Sequence, residues 1–492
     1  MTISATARER VLVVLAGCLI LSVQLIWLER PSYWYDEVAT VSGATRSWSS
    51  LLAMFQNVDM VHAAYYLIMN AWTRVAGSSE FAMRFPSALA VSLTAVALYF
   101  LGARHGGRTV AVLAGILYLL LPRVMWSATE ARSFAFAALA ATLVVLCLSW
   151  ALTIRNFASL VVFTVAAALS VFVFMYNALV IAGIVLGALV YPKTRRRGFA
   201  LLIAATTAAI VVSPFLLAVL AQRAQLGGTR TISVTTWYEV AVEQYFLDNP
   251  LASAAWVAAL VGGGIMAITG RRRRGDIDPR QRLLLFPILG WLILPQVLIL
   301  SYSAMAPSIY QPRALTISAP ALALASAWLL RSLRRWHMWA VVFILALTTV
   351  PSAVALREPE AKNTDWRSVA DLMASLPVSA TAVIYAPPQD VNSYVALVRL
   401  AYPSSVEGIA DPTLITPAEE RAYLFDNRTS PLEVAPQLAQ FDRVLVVLRE
   451  PDPDFSEPMS AELTQAGFEN SEKIDLPLTT LQVWDRSSQL VP

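Results

Sequence analysis

Residues 11–28 read VLVVLAGCLILSVQLIWL, and five residues later the chain reads Tyr33-Trp34-Tyr35-Asp36-Glu37. An apolar run of 18 residues is long enough to approach a bilayer crossing, and two adjacent carboxylates just beyond such a run are costly unless they face water, a partner or a substrate. The run repeats. Apolar stretches recur at residues 11–28, 86–101, 109–121, 134–150, 157–174, 176–191, 199–220, 251–268, 283–301, 314–330 and 338–354, far more than one soluble core would need. The sequence therefore predicts a polytopic α-helical membrane protein of about 11 spans, several of them tilted or locally short. Arg8 and Arg10 precede the first run as in a secretory signal, but no small-x-small cleavage site precedes Trp27-Leu28-Glu29-Arg30, so a retained first span is expected.

Charge sets the expected orientation. Residues 1–354 carry 27 Lys/Arg against 12 Asp/Glu, and residues 355–492 carry 10 against 21. With the N-terminus cytoplasmic, the basic clusters at 193–197, 271–274 with Arg280 and Arg282, and 331–335 all fall inside, as the positive-inside rule requires. Asp36, Glu37, Glu80, Glu130, Glu239 and Glu243 then fall outside, which concentrates polar chemistry on the outer face. The basic excess belongs to membrane loops, so no nucleic-acid partner is expected. Cys18 and Cys147 both lie in apolar runs and read as core packing rather than as a disulfide or metal site.

The first outer loop, about residues 29–84, is the longest between spans. Were the stretch 62–76 to cross the membrane, every later arginine cluster would invert, so it is expected to lie on the outer surface as an interfacial or re-entrant helix, with 48–55 a second of the kind. In the loop 221–250, Gly227-Gly228-Thr229-Arg230 before the amphipathic 237–246 suits either a substrate lid or a structural loop. After Val354 the composition turns acidic and proline-rich. Helical patterns at 365–375, 390–400 and 460–466 alternate with strand-like 381–386, 443–448 and 480–484, so residues 355–492 are expected to form an extracytoplasmic α/β domain beside the membrane module 1–354.

An outer acid pair, aromatic rings and membrane-edge arginines suit transfer of a sugar from a lipid phosphate: a carboxylate activates an acceptor hydroxyl, arginines bind the phosphate, and rings stack on sugar. Asp36 and Glu37 equally suit the first turn of an interfacial helix, where acids are favoured. The ordered landmarks Trp34-Tyr35-Asp36-Glu37, His62-Ala63-Ala64-Tyr65-Tyr66, Arg84-Phe85-Pro86-Ser87, Glu130-Ala131-Arg132-Ser133-Phe134, Pro312-Arg313 and Thr364-Asp365-Trp366-Arg367 resemble those of the GT-C superfamily, in particular the branch of protein O-mannosyltransferases and bacterial lipid A aminoarabinose transferases. The resemblance implies a membrane glycosyltransferase that uses a polyprenyl-phosphate sugar, inverts at the anomeric carbon and needs no obligatory cofactor, although a divalent cation is possible at an acid-rich site. It implies Asp36 as general base with Glu37 in support, and Tyr35, His62, Tyr65, Arg84, Glu130, Arg132 and Arg313 as substrate-binding residues. The two prolines that often follow the family's histidine are replaced by Ala63 and Ala64. The expected partners are the lipid-linked donor, a lipid, glycan or protein acceptor, and membrane lipids; mannose is the first expectation for the sugar and a pentose the second. A lipid-linked glycan flippase is the alternative from another class, and its spans should carry polar interiors that these runs lack.

Overall fold

A computed structural model describes residues 5–223, 232–274, 283–391, 394–449 and 452–487. The glycine pair at 227–228 with Thr229 and Arg230 lies outside the described residues, as do Arg280 and Arg282. The chain divides into two compact units, one of residues 1–28, 59–65 and 84–356, the other of residues 29–58, 66–83 and 357–492.

The first unit is helical. Seven helices are long and apolar enough to cross a membrane: Glu80–Gly106 (whose first residues belong to the second unit), Phe134–Ile154, Arg195–Ala221, Pro250–Thr269, Leu285–Met305, Pro312–Leu330 and Arg335–Ala355. An eighth candidate is the pair Arg108–Leu119 and Pro122–Ala128, bent by 69°. Pro122 causes the break, because it has no N–H to donate and its ring crowds the preceding turn. The other apolar runs appear as the shorter helices Val11–Gln24, Phe157–Val173 and Asn177–Val190. The outward faces carry Phe157, Ile203, Ile210, Leu251 and Ile268 at 64–80% exposure. A belt of that size is what hydrocarbon covers, and the chain is a multi-pass membrane protein. Both cysteines are free thiols. Cys18 is exposed on the first helix, so it packs no core, contrary to expectation.

Where two spans meet most closely, glycine is the reason. A Cβ on Gly183 would stand 2.3 Å from the Gly290 carbonyl oxygen, and one on Gly187 would stand 2.3 Å from that of Phe286. Glycines four residues apart share one helix face, so Asn177–Val190 lies backbone to backbone against Leu285–Met305.

The second unit combines two segments of the first loop with the C-terminal region. Its first-loop helices are Tyr35–Ala44, Trp48–Asn57 and most of Ala63–Ala76. The C-terminal region contributes strands β1 (Thr381–Tyr385), β2 (Leu414–Thr416), β3 (Asn427–Arg428), β4 (Arg443–Leu448), β5 (Phe468–Asp475) and β6 (Thr480–Arg486). The main sheet runs β1-β4-β6-β5, with β1 and β4 parallel and the other pairs antiparallel. Ala382 and Ile384 of β1 and Val444, Val446 and Leu448 of β4 pack one face of it against Phe455, Met459 and Leu463 of the helix Pro453–Gln465. The helix expected over 390–400 is only a short 3₁₀ turn, Val395–Leu397, and one α turn, Val398–Ala401.

Candidate active site

In the first unit, His62 ends a 3₁₀ turn, Met60–His62, and leads into the helix Ala63–Ala76. Arg132 Nη2 lies 3.0 Å from His62 Nε2 and Ser133 Oγ lies 3.4 Å from His62 Nδ1. A guanidinium only donates, so Nε2 must accept, and a neutral imidazole then carries its proton on Nδ1, where it can donate to Ser133 Oγ. His62 is thereby an orienting group for Arg132. Ser87, in the Arg84-Phe85-Pro86-Ser87 landmark, donates to the Arg132 carbonyl at 3.5 Å. Arg84 is fully buried and donates to the Leu28 carbonyl at 3.0 Å, which ties the helix Glu80–Gly106 to the end of the first apolar run. Glu130 is fully buried and Arg132 is 7% exposed. Tyr65 is buried edge-on against Phe136, ring centroids 5.4 Å apart.

Cations and rings alternate in this unit. Arg123 lies 5.0 Å over the Trp126 ring, Trp126 lies 5.5 Å from Phe134, and Arg313 lies 5.9 Å over Phe134. Ring faces attract guanidinium groups without neutralising them, while Arg123 also pairs with the half-open Glu243 carboxylate at 3.4 Å. Arg123 is the residue the sequence reading missed. It is 3% exposed and donates to the carbonyls of Glu243 and Gln244 at 2.9 and 3.2 Å. Gln244 in turn accepts from the Tyr310 hydroxyl at 3.2 Å, so Arg123 anchors the end of the amphipathic segment 237–246. Burial first, then the charges of Glu239 and Glu243, push the Tyr310 hydroxyl above its ordinary range, so it remains a donor. The signal was present: Leu121-Pro122-Arg123 repeats the pattern of Gln311-Pro312-Arg313, and in both the proline opens a helix at its first turn.

In the second unit, Asp36 and Glu37 occupy the first turn of the helix Tyr35–Ala44, where the helix dipole favours negative charge. The two are not equivalent. Glu37 is completely buried and Asp36 is partly open. Tyr35 packs its ring 4.8 Å from Phe425. The preceding backbone is held by the Thr364-Asp365-Trp366-Arg367 landmark. Thr364 Oγ1 donates to the Tyr33 carbonyl at 2.8 Å, and the Arg367 backbone N–H donates to Ser32 Oγ at 3.0 Å. The Arg367 fork donates to the carbonyls of Glu29 and Arg30 and pairs with Glu80 at 2.5 Å. Tyr402 donates to the same Glu80 at 2.6 Å and accepts from the Tyr33 N–H at 3.2 Å. Asp365 accepts from Leu478 N and Thr479 Oγ1, and Trp366 is fully buried, so the landmark is rooted in the C-terminal region. Among the described residues no three His, Cys, Asp or Glu side chains gather as a metal site requires.

By sequence, residues 61–217 match the family described as dolichyl-phosphate-mannose-protein mannosyltransferase. That span includes His62, Tyr65, Arg84, Glu130 and Arg132, and leaves out Asp36, Glu37 and Arg313. No curated protein matches the chain significantly by sequence. By structure, it is similar to ArnT from Cupriavidus metallidurans bound to undecaprenyl phosphate, at 13% identity and a TM-score of 0.58, over 99% of this chain and 100% of that one. The apo state of the same ArnT gives 12% identity and a TM-score of 0.59, over 98% of each chain. The Archaeoglobus fulgidus oligosaccharyltransferase AglB, in complex with an inhibitory peptide and a dolichol-phosphate, gives 12% identity and a TM-score of 0.42, over 97% of this chain and 75% of that one. The chain therefore resembles the GT-C glycosyltransferases: it has the ArnT fold along its length and, over residues 61–217, the sequence pattern of the dolichyl-phosphate-mannose-protein mannosyltransferases.

Proposed function

We propose that this protein is an integral-membrane glycosyltransferase that moves a sugar, mannose in the first instance, from a polyprenyl-phosphate donor to an acceptor hydroxyl at the outer face of the cytoplasmic membrane. In this reading the chain crosses the membrane eleven times with its N-terminus inside, and the C-terminal domain is extracytoplasmic. The acceptor is a lipid, a glycan or a protein. The observation that carries the reading is the set of buried or ring-stacked arginines, Arg132 on His62 and Arg123 and Arg313 over aromatic faces, in a fold shared with an ArnT that holds undecaprenyl phosphate.

The chemistry balances simply. Asp36 takes the proton of the acceptor hydroxyl as its oxygen bonds to the anomeric carbon from the face opposite the phosphate, giving inversion. The bond from that carbon to the phosphate oxygen breaks, and the polyprenyl phosphate departs as an anion. Arg132 and Arg313 stabilise that developing charge, which removes the need for an acid on the leaving group. Glu130 and Arg84 support the phosphate-binding loop, Tyr35, His62 and Tyr65 shape the sugar and acceptor surroundings, and Glu37 orients the helix start that carries Asp36. No step needs a resident cation, so turnover should survive a chelator; its loss on chelation would instead place a divalent ion at Asp36 and Glu37.

Membranes containing the protein should transfer label from polyprenyl-phosphate mannose to membrane-bound or added acceptors. Transfer from an arabinose donor alone would keep the reaction and change the sugar to a pentose. Transfer from neither, with the donor instead moved across the bilayer, would replace the reading with a flippase.

A further inference from the structure

A cavity of about 360 Å³ opens in the second unit, lined by the turn after the helix Tyr35–Ala44 and the last turn of Ala63–Ala76. It shares no residue with either group of the candidate site. Its lining includes Arg46 and Arg74 and the hydroxyl residues Thr45, Ser47 and Thr73, and no carboxylate.

Arg46 is 4% exposed, and its hydrogen bonds go to neutral oxygens: Ser42 O at 3.1 Å, Ser42 Oγ and Ser50 Oγ at 3.2 Å, and the Tyr423 carbonyl. The acids that act on it from a distance, Glu419 and Asp426, are already paired with Arg399, and Asp426 also with Arg428. A buried guanidinium without an ion pair leaves a positive field in its surroundings. Arg74 is exposed and held in place. Its Nε donates to Asn70 Oδ1 at 3.2 Å, while Asn70 Nδ2 donates to the Ala44 and Arg46 carbonyls at 2.9 and 2.8 Å. Its guanidinium also lies 6.0 Å over the Trp48 ring. Among the described residues its two Nη groups have no partner, so the fork is oriented in advance and its outer edge is open.

One exposed ring stands beside the cavity: Trp48, 49% exposed, lies under the Arg74 guanidinium. We infer that this cavity binds a phosphate oxyanion, with Arg74 as the contacting fork and Arg46 as the field behind it, and that the exposed Trp48 ring under Arg74, a side chain suited to the level of lipid headgroups, makes the ligand the headgroup of an anionic phospholipid. Arg rather than Lys fits the role, because a planar fork takes two phosphate oxygens at once.

The test uses the full chain in nanodiscs of phosphatidylcholine alone and of phosphatidylcholine with phosphatidylglycerol, and in detergent titrated with inorganic phosphate. The wild type is expected to melt higher with phosphatidylglycerol and to keep that lipid through native mass spectrometry. Arg74→Gln, at an exposed position that leaves the core intact, should weaken the effect about tenfold, the loss of one charge-assisted contact. Arg74→Lys, a point charge without the fork, should fall between. A saturable, Arg74-dependent shift with inorganic phosphate alone would keep the site and make its ligand a soluble phosphate. No shift with either, or equal shifts in Arg74→Gln, would overturn the inference. Because Asp36 takes no part, Asp36→Asn should bind as the wild type does even if transfer is absent.

Discussion

At the scale of single residues, burial separates two acids that sequence could only treat as a pair. Glu37 is closed off and Asp36 is not, so only Asp36 can meet a hydroxyl without the helix moving. Glu37→Gln should therefore lower the melting temperature and leave measurable turnover, because it alters a buried side chain rather than the base. Arg132 has the complementary role. Its link to a neutral His62 fixes the guanidinium, and Arg132→Gln should lower kcat/KM for the donor about tenfold to a hundredfold, mostly through kcat because the phosphate gains charge as it departs, the worth of one charge-assisted hydrogen bond of about 1.5–3 kcal/mol. A steady-state titration of donor separates the two parameters. Of the proposed binding residues, His62 and Arg132 could be paired only in the structure, since 70 positions separate them and no pattern in sequence reports such a contact.

At the scale of elements, helices were legible wherever long apolar runs or amphipathic periods recorded them, including the first-loop helices at Trp48–Asn57 and Ala63–Ala76. Strands β1, β4 and β6 were legible for the same reason. Strand β5, Phe468–Asp475, was not: after the buried Phe468 its next five residues are exposed polar side chains, so it shows no alternation of the kind a half-buried strand displays. Its place as the edge of the sheet beside β6 allows that composition. The landmark at residues 364–367 was legible as a motif but not as a latch on Tyr33 and Glu29. Arg367→Ala removes a fork shared among Glu80 and three carbonyls, and should cost the second unit about 1–3 kcal/mol, read as a lower melting temperature. Between spans, Gly183→Val would push a side chain into the Gly290 backbone. The expected destabilisation is about 1–3 kcal/mol or more, visible as thermal loss in detergent, whereas the same change at Gly262, where a Cβ meets nothing within 4 Å, should be nearly neutral.

At the scale of the whole molecule, the charge asymmetry between residues 1–354 and 355–492 marks the change of composition near residue 354, but it did not reveal that residues 29–58 and 66–83 of the first loop group with residues 357–492 in one compact unit. Acids in the second unit also set its pH limits. Burial raises the Asp426 carboxyl, but the hydrogen bond and charge of Arg399, with Arg428 beside it, outweigh burial and hold it below its ordinary 3.8. A carboxyl held low contributes stability that is complete above the unfolded value and disappears as pH falls through the folded one. Melting temperature should therefore stay level down to about pH 4 and drop below it, and Asp426→Asn should be less stable at neutral pH and flatter in acid. The division of labour between a base and a set of phosphate-binding arginines is the centre of the proposal. It is tested most directly by transfer of labelled mannose from its polyprenyl phosphate, or of arabinose if that is the donor used, by wild type and Asp36→Asn at equal amounts of folded protein. Loss of a general base should lower kcat by about a hundredfold to ten-thousandfold while the donor KM stays near that of the wild type. Equal turnover by the two proteins would contradict the assignment of Asp36.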